Sequence, residues 1–350
     1  MFVDLPIAEL RDYRPEMAEP ADFDAFWSDQ LAVARACAID AVFEPVQTPL
    51  RHAEVLDVSF AGHGGDRVRG WLLLPADRLP GAPVVVEYVG YSGGRGDPMD
   101  WLTYSCAGYP HLVMDTRGQG GGWRSADTPD PGDSGAPSTS GFMTRGIMDP
   151  PSYYFTRLFV DAARAVEAAT AHPSTAGLPV VATGVSQGGG LAIAAAHLAG
   201  VVATMPDVPF LAHFERALRV TDSDPYGELV KYFSVHPERV EPALRTLSYI
   251  DVVNHARRAQ VPALFSVGLI DDITPASTVF AAYNHYGVPA GTGKQVNHRH
   301  IHKHIHKHMQ VYPFNGHEGG RTDQLAAKLA FLASTELLAE LPALPALPAS

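Results

Sequence analysis

The sequence predicts an α/β fold built on a mainly parallel central sheet with helices on both faces. Three observations carry that prediction. Short β-branched runs at 83–88, 111–115, 180–184 and 263–267 each lead into Gly or polar residues, as expected of strands buried on both faces. An amphipathic helical pattern fills 155–171, where Leu158, Ala162, Ala165, Val166 and Ala169 mark the apolar face. The stretch 178–196 reads as a strand, a Gly-flanked Ser and an Ala-rich helix. Strands alternating with helices imply parallel pairing, and ligands in such sheets bind beyond the carboxyl ends of the strands.

Taken in order, residues 1–50 read as an N-terminal extension packed on the core. A helix begins in 20–27, where an Asp is available as its cap and Phe23, Phe26 and Trp27 share a face that packs on the main body. Residues 53–60 and 68–74 alternate as half-buried strands around a Gly-containing turn at 62–65. A single domain spans 51–340. Within it, 208–256 is a helical insertion, lying over the strand ends or adding core helices, with Phe210, Phe214, Tyr226, Leu229 and Tyr232 among its apolar residues. Residues 310–313 form the last short strand. The Pro-spaced segment 341–350 is expected to be a disordered tail.

Bulk properties exclude several classes. The 350 residues are 46% hydrophobic, enough for a sizeable core. The net charge of −12 argues against a nucleic-acid or anionic-membrane partner. No apolar stretch approaches the ~20 residues of a membrane span. Two well-separated cysteines, Cys37 and Cys106, and an N-terminus without signal-peptide features lead us to expect a cytoplasmic protein.

The chemistry is concentrated at Gly184-Val185-Ser186-Gln187-Gly188. Between a strand and a helix, this Gly-x-Ser-x-Gly pattern is the nucleophile elbow of an α/β-hydrolase fold. The turn is tight enough that Gly fits on both sides, and the following helix N-terminus favours developing negative charge. A Ser hydroxyl needs an imidazole to take its proton and a carboxylate to hold the imidazole, in the chain order Ser, acid, His. Asp271 and Asp272 both follow strand 263–267, and spacing alone does not separate them. His317 lies in the Gly-containing loop after the last strand. The oxyanion donors would be the backbone N–H of Gln187 and that of Tyr91, in the loop after strand 83–88.

These motifs, together with Arg117-Gly118-Gln119, His317-Glu318 and the stretches 142–147, 207–210, 262–269 and 277–284, resemble carbohydrate esterase family seven, the acetyl xylan esterases and cephalosporin C deacetylases. The resemblance runs from about residue 4 to about 335. It implies Ser186 as nucleophile, His317 as base, Asp271 rather than Asp272 as acid, and Tyr91 as second oxyanion donor. It gives the Arg-Gly-Gln run a structural role near the site. It implies removal of acetyl groups from small carbohydrates (xylo-oligosaccharides) and cephalosporin C through an acyl-enzyme, no required cofactor, and a homo-hexamer. Other esterase or peptidase chemistry on the same fold is the alternative.

One segment departs from the family. Residues 291–308 read as a His-rich insertion, with His298, His300, His302, His304, His306 and His308 alternating with Arg, Ile and Lys. As a strand, all six imidazoles would line one face and offer nitrogen ligands to Zn, Ni or Cu. Three readings stand: a solvated loop with adventitious metal affinity, an engineered or acquired metal-binding insertion whose metal plays no part in catalysis, or an altered oligomer contact. We expect the insertion to bulge outward and leave the Ser, His and Asp undisturbed.

Overall fold

The computed structural model describes residues 4–131, 138–288 and 305–334. Among these, nine strands, β1 (Val42–Pro45), β2 (Ala53–Ala61), β3 (Arg67–Pro75), β4 (Val84–Tyr88), β5 (His111–Met114), β6 (Val180–Val185), β7 (Ala203–Asp207), β8 (Ala263–Gly268) and β9 (Lys307–Tyr312), form one sheet. Its order is β1-β2-β3-β5-β4-β6-β7-β8-β9. The first three strands and the β3–β5 pair are antiparallel, and every pair from β5 to β9 is parallel.

Eleven α-helices accompany the sheet among the described residues: α1 (Ile7–Asp12), α2 (Phe23–Arg35), α3 (Leu102–Cys106), α4 (Tyr154–Ala169), α5 (Gln187–Leu198), α6 (Phe214–Val220), α7 (Tyr226–Val235), α8 (Val240–Ile250), α9 (Val252–Ala256), α10 (Ala276–His285) and α11 (Arg321–Leu332). The two-residue period of a strand divides the core between the two faces. Val84, Val86, Val180 and Ala182 join the larger core with α2, α4, α5 and α9, whereas Val85, Val181, Met205 and Leu264 meet Tyr104 of α3 and Phe331 of α11 on the other face. This is the fold that the strand and helix patterns predict. No helix among the described residues is long and apolar enough to cross a membrane.

Two local expectations need correction. Asp22 precedes α2 but makes no side-chain cap; its carboxylate accepts a hydrogen bond from the Tyr249 hydroxyl at 2.6 Å instead. The aromatic face of α2 does pack inward: Trp27 stacks on Phe159 and donates to the Tyr249 carbonyl at 3.0 Å. The last strand begins at Lys307, not at 310, so Lys307 and His308 belong to the sheet. The reason is a period of two: Ile305, Lys307 and Met309 are half-buried, while His306, His308 and Gln310 are exposed. His298, His300, His302 and His304 lie outside the described residues, as does 341–350.

The sheet order fixes where a site can form. From β4 the chain turns back to β5 on one side, and β6 lies on the other. The strand order therefore reverses between β4 and β6, the place where such sheets open a crevice. Tyr88 and Gly184 are register partners there, so the loops after β4 and β6 emerge side by side.

Candidate active site

Ser186 stands where β6 passes into α5. Its backbone is in the left-handed region (φ 58°, ψ −119°), a conformation that non-Gly residues rarely hold without surrounding constraint. Those constraints are explicit. The Ser186 amide donates to the Asp207 carbonyl at 2.9 Å, and the Ser186 carbonyl accepts from Phe210 at 3.0 Å and Gly190 at 3.0 Å. A Cβ at Gly188 would lie 2.0 Å from the Tyr88 carbonyl oxygen, and one at Gly184 would lie 2.5 Å from the Gly188 backbone. Both flanking glycines are thus required by close approach of backbone to backbone. The segment after β7 that wraps the elbow is itself strained, with Val208, Leu211 and His213 all at positive φ.

The acid and the base come from the next strands along the sheet. Asp271 follows β8 and is fully buried. Its Oδ1 accepts from the amides of Ile273 at 2.8 Å and Thr274 at 2.9 Å, which fixes the carboxylate plane. Its Oδ2 lies 2.9 Å from His317 Nδ1, with Thr274 Oγ1 at 2.7 Å beside it. His317 is in the loop after β9 and is one quarter exposed, so one ring edge is held by Asp271 and the other is left for chemistry. Asp272 points away: its carbonyl takes the Thr221 hydroxyl and its carboxylate lies 3.4 Å from Ser223 Oγ. The geometry therefore pairs Asp271, and not Asp272, with His317.

The two expected oxyanion residues, Tyr91 and Gln187, are tied together by Gln119. Its Oε1 accepts from the Ser92 amide at 2.7 Å, and its Nε2 lies 2.8 Å from Gln187 Oε1. Gln187 Nε2 in turn donates to the Val89 carbonyl at 3.1 Å. One side chain of the Arg117-Gly118-Gln119 run thus bridges the loop after β4 and the elbow. Arg117 is fully buried and forks onto Asp161 of α4 (2.5 and 2.9 Å), with Asp130 at 3.1 Å and Asp66 at 3.2 Å.

Trp123 is a site element that the sequence reading did not single out. Its indole Nε1 donates to the Tyr91 carbonyl at 2.8 Å, and its ring covers Gly93, where a Cβ would come within 2.4 Å of it. The same ring lies 3.5 Å from where a Cβ of Gly90 would be, and Gly90 abuts the Ser186 side chain. Trp123 is more than half exposed. His306 and His308 are exposed residues of the β9 region. Among the described residues no group of three or more His, Cys, Asp or Glu side chains is arranged to hold a metal ion.

Comparison with known proteins gives the same direction. The family model described as acetyl xylan esterase matches residues 1–335. An acetyl esterase, Axe7A, of Xylanibacter ruminicola is 27% identical over 303 residues, covering 79% of this chain and 62% of the relative. This chain thus spans less than two thirds of that relative's length. Among solved structures, the acetyl xylan esterase from Paenibacillus sp. R4 superposes with a TM-score of 0.81 at 36% identity, over 94% of this chain and 99% of the other. Acetyl xylan esterase 1 from Thermoanaerobacterium sp. JW/SL YS485 gives 0.79 at 31% identity, over 95% and 100%.

Proposed function

The chain belongs to the acetyl xylan esterase family, a family of carboxylic ester hydrolases, and from that premise we propose that it removes acetyl groups from small acetylated carbohydrates, xylo-oligosaccharides first, and from cephalosporin C through an acyl-enzyme. The observation that carries this reading is the 2.9 Å contact between His317 Nδ1 and Asp271 Oδ2, with Ser186 held at the elbow of the same sheet edge.

The proposed steps follow from these roles. With Nδ1–H donated to Asp271, His317 Nε2 carries the free lone pair and takes the proton from Ser186 Oγ as that oxygen attacks the acetyl carbonyl carbon. The carbonyl π electrons move onto oxygen, and the oxyanion receives the N–H groups of Tyr91 and Gln187, at the N-terminus of α5. Collapse breaks the bond to the sugar oxygen, which leaves with the proton from His317. Water then attacks the acetyl-Ser186 ester, again with His317 as base, and acetate departs. Asp271 keeps the tautomer and stabilises the imidazolium that forms in each half.

The test is acetate release from p-nitrophenyl acetate, peracetylated xylobiose and cephalosporin C by the natural chain and by Ser186→Ala, with and without EDTA. We expect release from all three substrates, a loss of at least about 10³-fold in Ser186→Ala, and no effect of EDTA, since no metal enters the steps. Activity that survives Ser186→Ala would overturn the mechanism. Release from p-nitrophenyl acetate but not from either of the others would overturn the substrate assignment.

A further inference from the structure

We propose that Glu228, in the first turn of α7, is a positioning residue that holds the Tyr91 oxyanion donor in place through the Tyr91 hydroxyl. The proposal rests on the reading of Tyr91 as an oxyanion donor. The loop that carries Tyr91 runs Val89-Gly90-Tyr91-Ser92-Gly93-Gly94. Three glycines in six residues give it little stiffness of its own. A donor is valuable in catalysis only if it is fixed before charge develops, so the stiffness must come from outside the loop.

The outside ties are present on both backbone and side chain. Trp123 holds the Tyr91 carbonyl, and Gln119 holds the Ser92 amide. The side-chain tie comes from 137 residues further along the chain: Tyr91 Oη donates to Glu228 Oε1 at 2.7 Å. Glu228 is itself fixed, because Oε1 also accepts from the Gly141 amide at 3.0 Å and Oε2 from the Met143 amide at 3.3 Å. The Phe142 amide closes the ring by donating to Tyr91 Oη at 3.0 Å. Phe142 and Phe210 pack edge-on against the Tyr91 ring. Burial and the facing Glu228 carboxylate push the Tyr91 phenol well above its usual pKa, so it stays a donor throughout the working range. Helix α7 is anchored in turn by Tyr226, whose hydroxyl donates to the Ala212 carbonyl at 3.0 Å. The carboxylate thus joins three separate pieces of chain: the loop after β4, the turn at 141–143 and the helical segment after β7. Without it, the Tyr91 hydroxyl and two backbone amides lose their shared acceptor, and the glycine-rich loop is released on its side-chain side.

The experiment measures kcat and KM for p-nitrophenyl acetate in Glu228→Ala, Glu228→Gln, Tyr91→Phe and the double variant Tyr91→Phe/Glu228→Ala, with thermal unfolding of each. Tyr91→Phe keeps the backbone amide and the ring and removes only the hydroxyl. We expect Glu228→Ala and Tyr91→Phe each to lower kcat by about 10–100-fold with KM within about twofold, the pattern of an interaction needed in the transition state. The double variant should fall no further than the weaker single variant, because both changes cut the same tie. Glu228→Gln, which retains an acceptor oxygen, should recover part of the loss. Inhibition by a boronic acid, which forms a tetrahedral adduct on the Ser, should weaken in step with kcat. An unchanged kcat in Glu228→Ala, multiplicative losses in the double variant, or a loss expressed only in KM would overturn the proposal. If Glu228→Ala shows no cooperative unfolding transition, Tyr91→Phe decides, and an unchanged kcat there overturns it. Failure of these variants while Ser186→Ala abolishes activity removes only the role of Glu228; activity retained in Ser186→Ala removes the functional reading itself.

Discussion

Asp271 and Asp272 are adjacent in sequence and opposite in environment. Asp271 is buried, bonded to two amides and a hydroxyl, and placed against His317, whereas Asp272 is exposed at the surface. Replacing Asp271 with Asn keeps the shape, but the amides of Ile273 and Thr274 retain the side-chain oxygen and turn its NH2, a donor, toward a ring nitrogen that must itself donate, so the imidazole is held in the wrong tautomer. We expect Asp271→Asn to lower kcat/KM for p-nitrophenyl acetate by about 10³–10⁴-fold, and Asp272→Asn to stay within about twofold. Equal losses in the two variants would remove the assignment. Spacing could not separate this pair, because what distinguishes them is the direction of each side chain after the β8 turn, and that is set by the amides of Ile273 and Thr274.

At the scale of elements, the buried Arg117 joins three parts of the fold. It reaches Asp161 on α4, Asp66 ahead of β3, and Asp130 in the loop after β5. Removing one partner of a buried ion pair leaves an uncompensated charge, so Arg117→Ala should cost about 3–5 kcal/mol in urea unfolding. Arg117→Lys should recover little, since an ammonium cannot fork onto both oxygens of Asp161. A loss under about 1 kcal/mol, the range of exposed pairs, would mean that the pair is solvated. Elements with strong local signals were legible from sequence: β4, β5, β6 and β8 as β-branched runs, α4 by its period, and the elbow by its glycines. β7 was not, because Ala-Thr-Met-Pro-Asp has no alternation and Pro206 removes a ladder donor, which argues against an interior strand. β1 was hidden inside the expected extension, being four residues long and, among the described residues, paired with β2 alone. Glu228 was illegible for another reason: an acidic residue in a helix's first turn is unremarkable locally, and its partner lies 137 residues away.

At the scale of the molecule, four buried histidines weaken the fold in acid, against the opposing effect of one carboxyl, Asp251, which burial raises to about 6. His197 and His255 face each other with their Nδ1 atoms 3.0 Å apart, an arrangement that needs at least one of them unprotonated. Burial lowers the pKa of His197 to about 4, of His213 to about 4 and of His285 to about 3, and holds His255 well below its usual value. In the unfolded chain these rings take up protons near pH 6.5. Between that pH and about 4 the unfolded state therefore binds more protons than the folded one, and stability falls as the pH is lowered. It is fully present above pH 6.5. Each group contributes a slope of up to about 1.4 kcal/mol per pH unit within its window. Urea midpoints measured at pH 7.5, 6 and 5 should drop steadily, and a flat profile would show that the rings are charged in the fold.

The position of β9 at the rim of the sheet carries a further consequence. The nucleophile rides on β6, which has a neighbour on either side, but the proton carrier follows a strand that, among the described residues, is bonded only to β8. Peripheral segments open at lower free energy than the whole molecule. Catalysis is therefore expected to die while the protein is still folded. The midpoint for loss of acetate release in denaturant should precede the midpoint of the far-UV signal, and β9 amides should exchange ahead of those in β6. Coincident midpoints would show that the rim and the centre melt as one.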